Sequence, residues 1–78
     1  MSLDTRLVEV LSMVLEIPTS EVNDETSIDT VEAWDSLRSM TLVVSLEEEF
    51  DVQFTDEETL EMVSYPLIKM TLEEKGVS

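Results

Sequence analysis

One stretch of this chain places a reactive oxygen where an anion would be held. Trp34-Asp35-Ser36-Leu37 closes a long polar segment and opens the most strongly apolar run, Leu37 to Phe50, so Ser36 falls in the first turn of a helix. The first backbone N–H groups of a helix have no intrahelical partner, and the aligned peptide dipoles favour negative charge there. A phosphate ester on the Ser36 hydroxyl would therefore be well placed. Asp35 can cap the same helix by accepting one of those N–H groups. Taken alone, Asp35 and Ser36 also read as an N-cap pair with no further role, and both readings stand at this level.

Other chemistries fall away by inventory. The chain has no histidine and no cysteine, which excludes Ser-His and Cys-His catalysis, His- or Cys-ligated metals and a disulfide framework. Gly76 is the only glycine, so there is no glycine-rich phosphate loop. Glu47-Glu48-Glu49 and Asp56-Glu57-Glu58 read as solvated faces and not as acid/base pairs. The loop Asn23 to Asp29 lacks the glycine and the alternating ligands of an EF-hand. Asp51, Asp56 and Glu57 would attract divalent cations only loosely. No metal site and no catalytic residue are expected, so the chain reads as a non-enzyme.

The elements that must position Ser36 follow from periodicity. Leu7, Val8, Leu11, Val14 and Leu15, with Leu3 a turn earlier, predict a helix over Asp4 to Ile17, ended by Pro18. Thr19 to Ala33 predicts a long loop with a short helical turn near Ser20 to Asn23, tied down by Val22, Ile28 and Val31. The second helix, Ser36 to Phe50, carries two apolar stripes. Leu42, Val43, Leu46 and Phe50 lie on one side, while Leu37, Met40 and Val44 lie on roughly the other. Either the helix is sandwiched and both stripes are buried, or the second is an exposed strip bordered by Thr41, Glu47 and Glu48. Thr55-Asp56 starts a short acidic helix to about Met62, and a last helix begins near Ser64, turns Tyr65, Ile68 and Leu72 inward, and stops at Gly76. No segment alternates with period two. The fold class is all-α: a small four-helix bundle, three helices longer and one short, with a long loop between the first two.

Length and charge limit the partners. At 78 residues the chain is one domain, residues 1–78. A hydrophobic content of 42% is too high for a disordered acidic tail. The net charge of −15 repels nucleic acid and anionic membranes and favours basic patches on other proteins. It also leads us to expect crowded carboxylates whose folded pKa values are raised. Met1-Ser2-Leu3-Asp4 shows no secretory pattern and no run of about 18 apolar residues occurs, so a cytoplasmic protein without membrane insertion is expected.

Ala33-Trp34-Asp35-Ser36-Leu37, the run from Leu42 that ends in Leu46-Glu47-Glu48-Glu49-Phe50, and Phe54-Thr55-Asp56-Glu57-Glu58 together resemble an acyl carrier protein over essentially the whole chain. The resemblance implies that Ser36, flanked by Asp35 and Leu37, receives 4′-phosphopantetheine from coenzyme A, and that the arm's thiol carries an acyl group as a thioester. It implies as partners a phosphopantetheinyl transferase, an acyl- or aminoacyl-loading ligase, and acyltransferases or synthases with basic docking patches, met by a monomer. The partner surface expected here is Leu37, Arg38, Met40, Val44, Glu47 and Glu48, with Met62. Arg38 stands where fatty-acid carriers usually place an acidic residue, Thr41 where a glutamate is common, and Trp34 where they place glycine or a small residue. These departures resemble carriers of specialised pathways, polyketide-like or otherwise secondary. An aminoacyl or peptidyl carrier, or an unmodified acidic interaction module, are the alternatives.

Overall fold

The computed structural model describes residues 2–77. Four α-helices follow one another: α1 (Leu3–Leu15), α2 (Ser36–Phe50), α3 (Asp56–Glu61) and α4 (Tyr65–Glu74), with a short 3-10 turn at Thr19–Glu21 in the long connection after α1. Each α-helix starts on a side-chain cap. Ser2, Asp35, Thr55 and Ser64 each accept a backbone N–H from three residues on, which satisfies a donor the helix itself cannot. At Thr55 the cap is reciprocal, because Glu58 accepts the Thr55 N–H in turn.

The core is one cluster. Leu7, Leu11 and Leu15 of α1, Leu42 and Leu46 of α2, and Ile68 and Leu72 of α4 are fully buried, with Trp34 from the connection beside them. Val10 also faces inward, whereas Val8 is only half-buried. The first helix ends earlier than Pro18 requires. Glu16 takes a left-handed conformation with φ 58° and donates its N–H to the Ser12 carbonyl, as does Ile17. Asp51 ends α2 the same way with φ 54°.

Two arginines join α1 and α2 as an antiparallel pair. Arg6, near the start of α1, reaches the end of α2, where it donates to the Glu49 carbonyl at 2.6 Å, pairs with the Glu49 carboxylate at 3.1 Å and lies over the Phe50 ring. Arg38, near the start of α2, reaches the end of α1, donating to the Val14 carbonyl and pairing with Glu16 at 2.6 Å.

The connection between α1 and α2 is ordered by its own short side chains. Thr26 is buried and its hydroxyl accepts the Asn23 N–H while donating to the Glu21 carbonyl. Thr30 repeats the arrangement with Ser27 and Glu25. The loop is then fastened to the α3–α4 junction by an isolated antiparallel bridge, Ser27 with Ser64, through Ile28 N–H to the Val63 carbonyl and Tyr65 N–H to the Thr26 carbonyl, both 2.9 Å. One bridge leaves no alternating pattern, so periodicity does not reveal it.

At Asp4 and Glu58 the carboxyl shifts downward, opposite to the rise expected from crowding. The Lys69 ammonium, together with the Tyr65 hydroxyl, holds the Asp4 carboxyl below its ordinary value, and Lys75 with the Thr55 N–H does the same for Glu58. Burial and the Asp4 carboxylate push Tyr65 up. Among the described residues no helix is long and apolar enough to cross a membrane.

Two outcomes follow for stability. Leu46→Ala, at a fully buried position, lowers unfolding free energy by about 2–5 kcal/mol, read from denaturant midpoints at unchanged slope. Because the folded pKa of Asp4 is depressed, its pairing stabilises above the unfolded value near 3.8 and is lost as pH falls through the folded value. Asp4→Asn therefore lowers the melting temperature at neutral pH, and the gap to the parent closes in melts well below pH 3.8.

Candidate functional site

Ser36 is the first helical residue of α2 and is exposed. Asp35 before it is extended, at φ −114° and ψ −173°, and its Oδ1 accepts the Arg38 N–H at 2.9 Å. The Asp35 carbonyl accepts the Ser39 N–H. Among the described residues, the N–H groups of Ser36 and Leu37 have no acceptor and the Ser36 hydroxyl has no hydrogen-bond partner. The turn therefore offers a free hydroxyl beside two free donors at the positive end of a helix dipole, which fits a phosphodiester. The Asp35 carboxylate shares that end, and solvent exposure keeps its repulsion of a phosphate weak.

Ser36 has no base of its own. No carboxylate touches its hydroxyl among the described residues, so a reaction there needs a base supplied from outside. The groove of about 660 Å³ between the end of α1 and the loop, with Leu15, Ile17 and Val31 among its lining, does not include Ser36. The serine stands on open surface, accessible to a large reagent.

Two residues before it stands Trp34. The indole is 2% exposed and donates from Nε1 to the Ser39 hydroxyl at 3.0 Å. This seat was legible only as an unusual residue before Asp35. Its packing depends on the surrounding helices.

The two stripes of α2 separate as an inner and an outer face. Leu42, Leu46 and Phe50 are buried, whereas Leu37, Met40 and Val44 are 72%, 68% and 53% exposed. Glu48 and Thr41 are exposed beside them. Glu47 is half-buried and accepts the Phe54 N–H at 3.0 Å, so it is partly committed to closing the turn after α2.

Two expected partner residues are placed differently. Met62 is 3% exposed and belongs to the core, so it cannot meet a docked protein without the fold opening. The most exposed apolar residue of that segment is Leu60, at 78%. Arg38 does not present its charge beside Leu37 and Met40. Its guanidinium is turned to Val14 and Glu16. The same holds for the other basic side chains, since Arg6, Lys69 and Lys75 pair with Glu49, Asp4 and Glu58. The remaining carboxylates leave a surface of one sign.

A family model described as a phosphopantetheine attachment site matches residues 5–64, from the first turn of α1 to the residue that caps α4.

Asp35→Ala removes the cap but leaves the Ser36 hydroxyl in place. It lowers stability by about 0.5–2 kcal/mol, measured by thermal melts, while the chain keeps its helical circular dichroism.

Proposed function

The chain belongs to the phosphopantetheine-attachment family of carrier proteins, and from that premise we propose that it is an acyl carrier protein whose 4′-phosphopantetheine arm is esterified to Ser36. Membership itself makes the chain a carrier of 4′-phosphopantetheine and a substrate of other enzymes, not a catalyst. Phosphopantetheinyl transferases modify such domains, and synthases and ligases engage them. The observation that carries the assignment to Ser36 is an exposed, unbonded hydroxyl at the first residue of α2, within the matched residues and beside two free N–H donors. The arm supplies a thiol, which this cysteine-free chain lacks, for carrying acyl groups.

The chain's own residues supply the platform. Asp35 fixes where the helix starts, so the Ser36 oxygen projects from a defined turn. Leu37, Met40 and Val44 form an apolar strip on the same helix, and Glu48 adds charge that draws basic enzyme surfaces to it. Docking of this kind is small in area and transient. The domain spans residues 1–78 and acts as a cytoplasmic monomer in this reading, consistent with the mutual repulsion of bodies carrying −15 each. A specialised pathway, polyketide-like or otherwise secondary, is favoured by Trp34 and Arg38, which depart from the fatty-acid carrier pattern. An adenylating ligase that loads an amino acid would mark an aminoacyl carrier instead.

Incubation with coenzyme A and a broad-specificity phosphopantetheinyl transferase tests the attachment. The intact mass of the parent rises by the mass of the arm, and Ser36→Ala stays unmodified while melting within about 2 kcal/mol of the parent. A loaded Ala variant would move the site elsewhere. For the docking strip, Met40→Ala and Val44→Ala lower kcat/KM for transfer with a cognate enzyme several-fold, since each buried methylene is worth about 0.8 kcal/mol. Unchanged kinetics in folded variants would remove the strip from the interface.

A further inference from the structure

The first turn and a half of α2 is held down in an unusual way. From Ser36 to Thr41 no residue is buried: Ser36, Leu37, Met40 and Thr41 are exposed, and Arg38 and Ser39 are half-buried. The first buried apolar side chain of the helix is Leu42. Hydrophobic packing therefore anchors the helix from its second turn onward and leaves the turn bearing Ser36 to polar contacts. Three are present. The Asp35 cap and the bond from Trp34 Nε1 to the Ser39 hydroxyl are local in sequence. Among the described residues only Arg38 makes a polar link from this turn to another helix or its end, through the Val14 carbonyl and the Glu16 carboxylate. The Val14 contact is part-buried, and Val14 is one of the last residues of α1, whose carbonyls lack intrahelical donors. The acceptor is thus a group that needs the guanidinium as much as the turn does.

We propose that Arg38 is the positioning residue for the reaction at Ser36, holding the first turn of α2 against the end of α1 so that the serine oxygen is presented in one place. The proposal rests on Ser36 as the attachment point. In that reaction the Ser36 oxygen bonds to the pantetheine-bearing phosphorus of coenzyme A as the pyrophosphate P–O bond breaks. Adenosine bisphosphate leaves and the hydroxyl proton passes to a base on the transferase. The oxygen is the only atom this chain contributes to the bond change, so its placement is the chain's main lever on the rate. A misplacement of about 1 Å can cost up to 10²-fold in such a step.

This role and a surface-charge role predict opposite signs. If Arg38 met the transferase as a free positive charge, removing it would relieve repulsion from a basic enzyme surface and improve KM. If it positions Ser36, removing it lowers kcat while the acidic surface and Val44 keep KM nearly unchanged.

The decisive variants are Arg38→Met, which keeps the aliphatic reach and loses the donors, Arg38→Lys, which serves one acceptor at a time, and Glu16→Gln, which keeps an acceptor. Steady-state kinetics of arm transfer, followed by intact mass, should show kcat about tenfold lower for Arg38→Met with KM within threefold of the parent. Arg38→Lys should fall between the two and Glu16→Gln close to the parent. Hydrogen exchange of the unloaded protein supplies a second readout. The amides of residues 39–41 should exchange faster in Arg38→Met by a larger factor than those of residues 46–50, whereas a general loss of stability would raise both alike. An unchanged kcat, an improved KM, or an even rise in exchange overturns the proposal. If Arg38→Met does not fold, Arg38→Lys carries the same comparison. If Ser36→Ala still gains the arm, the attachment reading fails instead, and exchange alone decides whether Arg38 holds the turn.

Discussion

The structure depends on a reciprocal exchange of arginines between its first two helices. Arg6 leaves the start of α1 to bond the Glu49 carbonyl at the end of α2, and Arg38 leaves the start of α2 to bond the Val14 carbonyl at the end of α1. Neither helix has a basic residue of its own in its last turn. Each therefore borrows from the other the positive charge that its C-terminal dipole and orphan carbonyls favour. The exchange works only between antiparallel neighbours in one register. It specifies the arrangement of α1 and α2 more narrowly than leucine packing alone, which tolerates sliding.

That exchange also governs the surface. With so few cations in the sequence, committing every one to an internal pair leaves no positive side chain free to soften the outer field. Exposed ion pairs are individually weak, so their contribution to stability is modest. Their larger effect is on the field outside the protein. The face of α2 that exposes Leu37, Met40 and Val44 is bordered by carboxylates and has no basic side chain that is not already engaged.

Much of this was legible in the chain. The bounds of α2 follow from the Asp35 cap and an apolar period that begins at once, and the inward face of α4 follows from Tyr65, Ile68 and Leu72. The features that escaped share a cause: they join residues distant in sequence, or occupy segments too short to show a period. Arg38 reads as a surface charge until the end of α1 is placed beside it. Met62, expected on the partner surface, is buried, because α3, at 6 residues, samples under two turns and does not reveal which face is inner. The order of the loop after α1 beyond its short helical turn escapes periodicity because it comes from single hydroxyls, Thr26 and Thr30, each closing a turn on nearby backbone. Pro18 marks where α1 cannot continue, but the left-handed Glu16 ends it sooner.

Trp34 gives the molecule an optical property of its own. It is the sole tryptophan, almost fully removed from solvent, and its indole N–H is bound within the turn that starts with Ser36. With a single emitter the fluorescence spectrum has one source, and its wavelength reports the polarity around one ring. While α2 is seated the ring lies in an apolar setting and emits toward the blue. Any event that lifts the start of the helix admits water to the indole and moves the emission toward the red. The protein thus carries, two positions before Ser36, an intrinsic light signal for the state of the turn that this serine begins.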